Sequence, residues 1–240
     1  MFYIDAGTSF SKIISINKPQ LKNIEPVAVE ENKIFYIIPS QKISDLGIKF
    51  SAGTGHMAGD YLLDGAKLEN EILALAYGIK KLRPELETMT VLDIGSRDTK
   101  WVRFENGKYR ELDWNTACAS ATGATIEMIC RFYNVDVKNL PANDAKYPVT
   151  CGVFGMEKIM DEIAKTKNVE AAVAKYIHGI AFNAWNFAQK PEKIYLSGGF
   201  CENNCFVKSL EKYCKVVKLG RFVLVEGLIN TVRNDKLTEK

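Results

Sequence analysis

The chain has 240 residues, of which 47% are hydrophobic and 25% are charged, a balance typical of globular domains. Its 32 basic residues nearly offset its 29 acidic ones, leaving a net charge of +3. This charge gives no electrostatic reason to expect binding to nucleic acid or to an anionic membrane. No apolar run approaches the roughly 20 residues that a membrane-spanning helix needs, and the N-terminus has no signal-peptide pattern. We therefore expect a cytoplasmic protein.

The first predicted element is a β-hairpin over residues 2–13, FYIDAGTSFSKI. An apolar strand runs into Asp5, small polar residues form the turn, and a β-rich run follows. A turn glycine lets backbone amides approach phosphate oxygens, and an aspartate at a strand end is suited to hold magnesium. We expect this hairpin to bind a nucleotide through Gly7, Thr8, Ser9 and Lys12.

The stretch that follows is less regular. Residues 19–50 are predicted to form strands and a loop, punctuated by three prolines. Residues 50–55, FSAGTG, are glycine-rich, which is typical of a backbone that turns closely around a neighbour. Apolar residues at helical spacing then predict a helix over residues 66–82.

Residues 90–101, TVLDIGSRDTKW, repeat the pattern of the first hairpin. An aspartate, a glycine and a lysine return in the same order, each displaced by 88 positions. Two such hairpins, one from each of two lobes, would enclose the phosphates of a nucleotide. The residues of this second hairpin expected at the nucleotide are Asp93, Gly95, Ser96, Asp98 and Lys100.

The rest of the chain alternates helices with one clear strand, so an α/β fold is predicted. The strand runs from Lys193 into Gly198 and Gly199, a turn expected to receive the adenosine of the nucleotide. There is no Walker A pattern and no G-x-G-x-x-G, which argues against P-loop and Rossmann folds. Helices are predicted over residues 121–133, 154–165, 169–188, 202–213 and 224–234.

Two of the six cysteines, Cys118 and Cys151, stand just ahead of predicted helices. A helix N-terminus favours a thiolate because it carries partial positive charge and free amide donors. Two thiolates are too few for a 4Fe–4S cluster, which takes four, but a symmetric dimer would supply four across its two-fold axis. On the residues alone, two cysteines without a ligand are the simpler interpretation.

Six motifs in order give the sequence a resemblance to a known family, the activators of 2-hydroxyacyl-CoA dehydratases (BadF/BadG/BcrA/BcrD-type ATPases). They extend over most of the chain. The motifs are DAGTSFSK (5–12), AGTGHMAG (52–59), LDIGSRDTKWVRFENG (92–107), CASATG (118–123), TCGVF (150–154) and LSGGFCEN (196–203).

The resemblance implies an actin-like (ribonuclease H-like) fold with two lobes and a nucleotide cleft between them. Residues 1–90 would form the first lobe, to which residues 227–240 return, and residues 91–226 the second. The expected cofactors are ATP, magnesium and one 4Fe–4S cluster per homodimer, held by Cys118 and Cys151 of both subunits. Asp5, Asp93 and Asp98 are the expected catalytic residues, and Gly198, Gly199 and Asn203 the expected adenosine contacts.

The activity implied by the resemblance is transfer of a low-potential electron, driven by ATP, to a 2-hydroxyacyl-CoA dehydratase-like iron–sulfur partner. Reduced ferredoxin or flavodoxin would be the electron donor. The sequence departs from the family at Arg97, where a glutamine is usual, which leaves open whether ATP is hydrolysed.

Two alternatives remain on the sequence alone. A small-molecule kinase of the same fold would need a carboxylate base, for which Asp98 is the candidate. A nucleotide-binding regulatory protein without hydrolysis is suggested by Arg97. Of the two histidines, His178 lies in an apolar helix and is expected to be a core residue, whereas His56 lies in the glycine stretch.

Overall fold

Strands and helices are interleaved along the chain as the sequence predicts, and the strands form two separate sheets. The computed structural model describes residues 1–17, 19–115, 123–149 and 152–238. One compact unit comprises Met1–Leu86 and Arg221–Lys240, and the other comprises Glu87–Gly220. Within the described parts of the chain, no helix is both long enough and apolar enough to cross a membrane.

The first unit is built on a six-stranded sheet in the order β3-β4-β2-β1-β5-β6. Its central strand β1 pairs antiparallel with β2 and parallel with β5. Tyr3 and Ile4 of β1 lie on opposite faces of the sheet, and each belongs to a different hydrophobic cluster. The strands are Phe2–Ala6 (β1), Phe10–Ile16 (β2), Ala28–Val29 (β3), Lys33–Pro39 (β4), Phe50–Thr54 (β5) and Leu62–Leu68 (β6).

Two helices complete this unit, α1 over Glu71–Leu82 and α6 over Val223–Thr238. The predicted helix over residues 66–82 is wrong at its start, because residues 66–68 belong to strand β6, which pairs with β5. The helix begins only after Asn70, whose side chain accepts hydrogen bonds from the amides of Ile72 and Leu73, a typical N-cap.

Helices α1 and α6 cross in backbone contact, because a glycine on each removes the side chain at the crossing. A Cβ added at Gly78 would overlap the carbonyl of Val223, and one added at Gly227 would overlap the carbonyl of Ala74. Side chains on the inner face of α6, including Val225 and Leu228, pack on the sheet beside Tyr3. The glycine pair therefore seats α6 between α1 and the sheet.

A buried carboxylate joins three elements of the same unit. Glu226 on α6 is 4% exposed and lies 2.5 Å from the ammonium groups of both Lys33 on β4 and Lys81 on α1. Burial raises the pKa of the Glu226 carboxyl, but hydrogen bonds from Lys33 and Lys81 outweigh burial and leave that pKa below its ordinary value. The carboxylate is therefore charged at neutral pH and links α6 to both neighbours.

The second unit has a five-stranded sheet in the order β11-β10-β7-β8-β9. Strand β7 is central and buried throughout; it pairs antiparallel with β8 and parallel with β10. The strands are Met89–Ile94 (β7), Thr99–Glu105 (β8), Lys108–Asn115 (β9), Lys193–Gly198 (β10) and Lys215–Gly220 (β11).

The four helices of the second unit lie at or near their predicted positions, and a hydrophobic cluster joins them to strands β7, β8 and β10. The predicted helix 202–213 is shorter, because Asn203 caps it at one end and it stops at Leu210. The predicted start at residue 121 lies outside the described residues. The helices are Gly123–Tyr133 (α2), Gly152–Thr166 (α3), Val169–Phe187 (α4) and Asn204–Leu210 (α5).

The prediction that His178 is a core residue is confirmed. Its side chain on α4 is 2% exposed; Nδ1 donates to the carbonyl of Ala145 at 3.1 Å and Nε2 accepts from the hydroxyl of Tyr213 at 2.7 Å. Burial lowers the pKa of His178, in keeping with a neutral ring that has one donor and one acceptor.

Replacing Gly227 by alanine is expected to lower the free energy of unfolding by about 2 kcal/mol, because the new methyl group would force two helix backbones apart. The measurement is thermal and urea unfolding followed by circular dichroism. Gly59→Ala is the matched control, since a Cβ there would have only one atom of Leu68 at 4.0 Å. Equal stability of the two variants would contradict a tight crossing.

Replacing Glu226 by glutamine is expected to lower the free energy of unfolding by about 2 kcal/mol at pH 7. The substitution keeps the shape of the side chain but removes two charge-assisted hydrogen bonds. The pKa of Glu226 is lowered in the folded protein. The stabilisation by this carboxylate is therefore present above the ordinary pKa of a glutamate and is lost as the pH falls through the lowered value. Urea unfolding of both proteins from pH 7 to pH 3 should show the difference shrinking in acid; a constant difference would contradict this.

Candidate functional site

The two predicted hairpins are present, and they share one register. Asp5 on β1 lies opposite Lys12 on β2, and Asp93 on β7 lies opposite Lys100 on β8. The repeat seen in the sequence is therefore a repeat of cross-strand pairs, in which each aspartate faces a lysine on the neighbouring strand. Each unit contains one such hairpin.

A third strand completes each hairpin in the same way, on the other side of the aspartate. Thr54 on β5 lies beside Asp5, and Ser197 on β10 lies beside Asp93. Each aspartate thus stands between a lysine and a hydroxyl residue. The sequence analysis identified both glycine-rich stretches but did not pair them with the two aspartates, because parallel pairing across long connections leaves no local signal.

A glycine with positive φ follows each of these hydroxyl residues. Gly55 has φ +93° and Gly198 has φ +91°, in the left-handed region that favours glycine. An added Cβ would lie 2.6 Å from the carbonyl oxygen of Ala6 at Gly55, and 2.5 Å from that of Ile94 at Gly198. The residue after each aspartate therefore has a glycine backbone packed directly against it.

In the first unit the hairpin turn is held by a residue that the sequence analysis missed. Lys12 Nζ lies 2.8 Å from Asp5 Oδ2. The hydroxyl of Ser40 donates to the carbonyl of Gly7 at 2.5 Å, and the amide of Ser40 donates to the carbonyl of Ser9 at 3.0 Å. The exposed Thr8 lies between these two anchored positions. Ser40 follows strand β4 by one residue, and nothing local in the sequence marks it as a partner of the turn.

In the second unit a lysine lies between two carboxylates. Lys100 is 2% exposed, and its Nζ is 3.6 Å from Asp93 Oδ2 and 3.2 Å from Asp98 Oδ2. Asp98 Oδ2 also accepts a hydrogen bond from Trp114 Nε1 at 2.7 Å. The Lys100 ammonium lies 5.2 Å from the centre of the Trp114 ring, within the range of a cation–π contact. Trp114 is a second residue that the sequence analysis missed.

Two buried polar atoms beside the second hairpin have no hydrogen-bond partner among the described residues. Asp93 Oδ1 and Ser197 Oγ, on neighbouring strands, are both in this state, and their residues are 5% and 0% exposed. In the first unit the equivalent hydroxyl of Thr54 donates to the carbonyl of Glu69 at 2.9 Å. Because buried polar groups are normally paired, the unpartnered pair indicates a place for a ligand, a cation or water.

The turn that was expected to receive adenosine contains two glycines with different surroundings. Gly198 is packed against β7, whereas a Cβ at Gly199 would have nothing within 4 Å. Asn203 is 9% exposed, and its Oδ1 accepts from the amide of Phe206 at 3.0 Å. The side-chain oxygen of Asn203 therefore caps helix α5, which leaves its NH₂ group as the part suited to a ligand.

The first turn of helix α2 packs against the turn of the second hairpin. The amide of Gly123 donates to the carbonyl of Gly95 at 3.2 Å, and the amide of Ala124 donates to the carbonyl of Ser96 at 2.9 Å. A Cβ at Gly123 would lie 3.1 Å from the Gly95 carbonyl oxygen. Amides at the start of a helix lack partners within the helix, and here the hairpin turn supplies them.

The structure brings Asp93, Gly95, Asp98, Lys100 and Gly198 together in the second unit, and Asp5, Gly7, Ser9 and Lys12 in the first. The predicted cluster ligands Cys118 and Cys151 both lie outside the described residues. Within the described ranges, no group of three or more His, Cys, Asp or Glu side chains gathers as a metal site.

The chain is similar to one family of ATPases and to named proteins. The sequence model described as the BadF/BadG/BcrA/BcrD ATPase family matches residues 37–227. The 2-hydroxyisocaproyl-CoA dehydratase activator of Clostridioides difficile is 25% identical over 175 residues, which cover 69% of this chain and 65% of that protein. The (R)-2-hydroxyglutaryl-CoA dehydratase activating ATPase of Acidaminococcus fermentans is 24% identical over 171 residues, covering 68% and 64%. The chain thus spans just under two thirds of the length of each relative.

The fold is shared with a solved structure, the activator of the 2-hydroxyisocaproyl-CoA dehydratase from Clostridium difficile with bound ADPNP. The TM-score is 0.76 at 20% sequence identity, and the similarity covers 100% of this chain and 97% of that one. The predicted fold class, the α/β fold of actin-like ATPases, is thereby confirmed. Because the family match extends over residues 37–227, well over half of the sequence, the chain belongs to the BadF/BadG/BcrA/BcrD ATPase family.

Proposed function

We propose that this protein is an ATP-dependent iron–sulfur activator that passes a low-potential electron to a 2-hydroxyacyl-CoA dehydratase-like partner. The observation that carries the proposal is the constellation of aspartate, lysine, hydroxyl residue and glycine, present once in each unit of a chain that belongs to this ATPase family. Relatives of the chain are named as activators of such dehydratases. Under the proposal the protein is a homodimer and receives its electron from reduced ferredoxin or flavodoxin.

Nucleotide-binding groups are proposed in each unit separately: the hairpin turn in the first unit, and the hairpin turn and the turn after β10 in the second. Backbone amides of the turns at Gly7 and Gly95 would contact phosphate oxygens, and Lys12 and Lys100 would balance their charge. Lys100 is already held between two carboxylates, so its ammonium needs little reorganisation when the phosphates arrive. Gly199 has open space beside its backbone and is proposed to lie against the adenosine.

Magnesium fits the polar groups beside the second hairpin. Asp93 Oδ1 is buried and unpartnered next to the equally unpartnered Ser197 Oγ. Magnesium usually takes one or two carboxylates and completes its shell with water and substrate phosphates, so a single aspartate here is a sufficient protein contribution. Magnesium would neutralise phosphate charge, and Asp93 would hold it directly or through water, with Asp5 as the equivalent residue of the first unit.

Asp98 is proposed to hold the turn and not to act as a base. Its Oδ2 already accepts hydrogen bonds from Lys100 and Trp114, an arrangement that fixes the carboxylate to its own hairpin. The kinase alternative needs a carboxylate directed at an acceptor hydroxyl. The Asp98 carboxylate instead accepts hydrogen bonds from two residues of its own sheet, Lys100 and Trp114. The regulatory alternative depends on Arg97, whose side chain is exposed at the tip of the turn.

Cys118 and Cys151 are proposed as the cluster ligands because they lie within CASATG and TCGVF, which resemble the cluster motifs of the family, whereas the other four cysteines lie outside these two motifs. Those four are buried, and burial raises their thiol pKa values to about 11 in Cys130, Cys201 and Cys214 and about 12 in Cys205. Cluster ligands are thiolates, and burial opposes the thiolate form of these four side chains. A bound 4Fe–4S cluster would store the low-potential electron.

Replacing Asp93 by asparagine is expected to weaken binding of MgATP by about tenfold or more, equivalent to about 1.4 kcal/mol, because the carboxylate facing the cation is lost. Titration of a fluorescent ATP analogue with and without magnesium measures this. Asp113→Asn, an exposed acidic residue on β9, is the matched control. Retention of the full effect of magnesium in Asp93→Asn would remove Asp93 from the cation site.

Anaerobically purified protein is expected to contain about four iron atoms and four sulfides per dimer, and the Cys118→Ser variant is expected to lose them. Iron and acid-labile sulfide assays measure both. Cys214→Ser is the matched control, because a serine there keeps a donor for the Leu210 carbonyl that the thiol now contacts. Wild-type protein that remains free of iron after reconstitution would contradict the activator proposal. A measurement of ATP turnover would then distinguish a kinase from a regulatory protein that does not hydrolyse ATP.

A further inference from the structure

We propose that the turn of the second hairpin relays nucleotide occupancy through two contacts, from Asp98 to Trp114 and from Gly95 and Ser96 to the first turn of α2. The inference rests on the proposed function, since it takes the turn at residues 95–98 to be a phosphate contact. It adds a positioning role for Trp114 and for Gly123. These residues flank residues 116–122, which lie outside the described part of the chain and include Cys118.

The turn itself is closed as a small rigid unit. The amide of Gly95 donates to the carbonyl of Asp98 at 3.0 Å, and a Cβ at Gly95 would lie 3.1 Å from Asp98 Oδ1. The side chain of Asp98 is tied to Lys100 on the following strand at 3.2 Å. A phosphate that binds the backbone of this turn therefore acts on Gly95 and Asp98 together.

The first contact leads from the turn to the end of strand β9. Trp114 Nε1 donates to Asp98 Oδ2 at 2.7 Å, and the indole ring also lies against the Lys100 ammonium. Trp114 faces Lys100 directly in the register of β8 and β9. Trp114 is the next-to-last residue of β9, so a movement of the Asp98 carboxylate is expected to act on the end of that strand.

The second contact leads from the same turn to the start of α2. The carbonyls of Gly95 and Ser96 accept from the amides of Gly123 and Ala124. The approach is close, since a Cβ at Gly123 would meet the Gly95 carbonyl at 3.1 Å, Ser96 Cα at 3.2 Å and a ring carbon of Phe200 at 3.3 Å. A shift of the turn is expected to move the start of the helix, because two hydrogen bonds and this packing join their backbones.

Together the two contacts place one four-residue turn against the chain on both sides of residues 116–122. A ligand changes a distant segment only if it binds two arrangements of the protein with different free energy. Here the two arrangements would differ in the position of the 95–98 turn, and β9 and α2 would follow it. The relay lies wholly within the second unit.

The test compares Trp114→Phe with wild type. Phenylalanine keeps a ring beside Lys100 but removes the N–H that Asp98 accepts. Trp185→Phe is the matched control, since it removes an N–H of the same kind, which donates to the Pro191 carbonyl at 3.1 Å in the same unit. The readouts are the affinity for a non-hydrolysable ATP analogue and amide hydrogen exchange of the peptides that cover β9 and α2.

In wild type and in the control, the analogue is expected to slow exchange in both peptides by about threefold or more. In Trp114→Phe the affinity should stay within about threefold, while the slowing in β9 is lost and that in α2, which depends on backbone contacts, persists. Full slowing in β9 of Trp114→Phe would overturn the relay through Asp98. So would loss of analogue binding in that variant, because Trp114 would then belong to the binding site.

The failure of the proposed function has a different signature. If wild type binds the analogue but neither peptide changes its exchange, the relay is wrong and the nucleotide site stands. If the wild-type protein does not bind the analogue at all, both the proposed function and the relay are contradicted.

Discussion

The cross-strand pairing of an aspartate with a lysine, once in each central hairpin, is the constraint on which the rest of this molecule depends. Asp5 and Asp93 are 4% and 5% exposed, and a carboxylate buried that deeply is costly unless a cation and hydrogen bonds accompany it. The lysine opposite supplies the cation in each case. This pairing fixes the hairpin register, because a slip by one residue would turn the lysine to the other face of the sheet.

Glycines then determine how closely the surrounding backbone can approach. Gly55 and Gly198 let a third strand pass against the residue after each aspartate, so that a hydroxyl residue comes to lie beside each carboxylate. Gly78 and Gly227 do the same for two helices of the first unit, and Glu226 with its two lysines joins that helix pair to the sheet. At each of these glycines the absence of a Cβ allows two backbones to come into contact, and any larger residue would push them apart.

The two units differ where chemistry is expected. The hydroxyl of Thr54 is satisfied within the first unit, whereas Ser197 Oγ and Asp93 Oδ1 lack partners in the second. The turn beside these unpartnered atoms is also the one whose carbonyls accept from the start of α2 and whose carboxylate accepts from Trp114. The second unit therefore combines an open polar position with connections that extend away from it, a combination suited to coupling a bound nucleotide to another part of the chain.

The sequence by itself determined the α/β class, the two hairpins with their aspartate, glycine and lysine, the core position of His178 and most helices, because these depend on local periodicity and on short-range turn chemistry. It also carried the family motifs. Only the tertiary structure decided that residues 66–68 continue a strand, since their pairing with β5 outweighs the helical spacing of their apolar residues. The tertiary structure likewise brought Ser40, Thr54, Trp114 and Ser197 to the two hairpins. Ser40 and Thr54 lie more than 30 positions from the turns that they serve, and Ser197 about a hundred. No local pattern encodes such pairs, because they depend on which strands become neighbours when the whole sheet assembles.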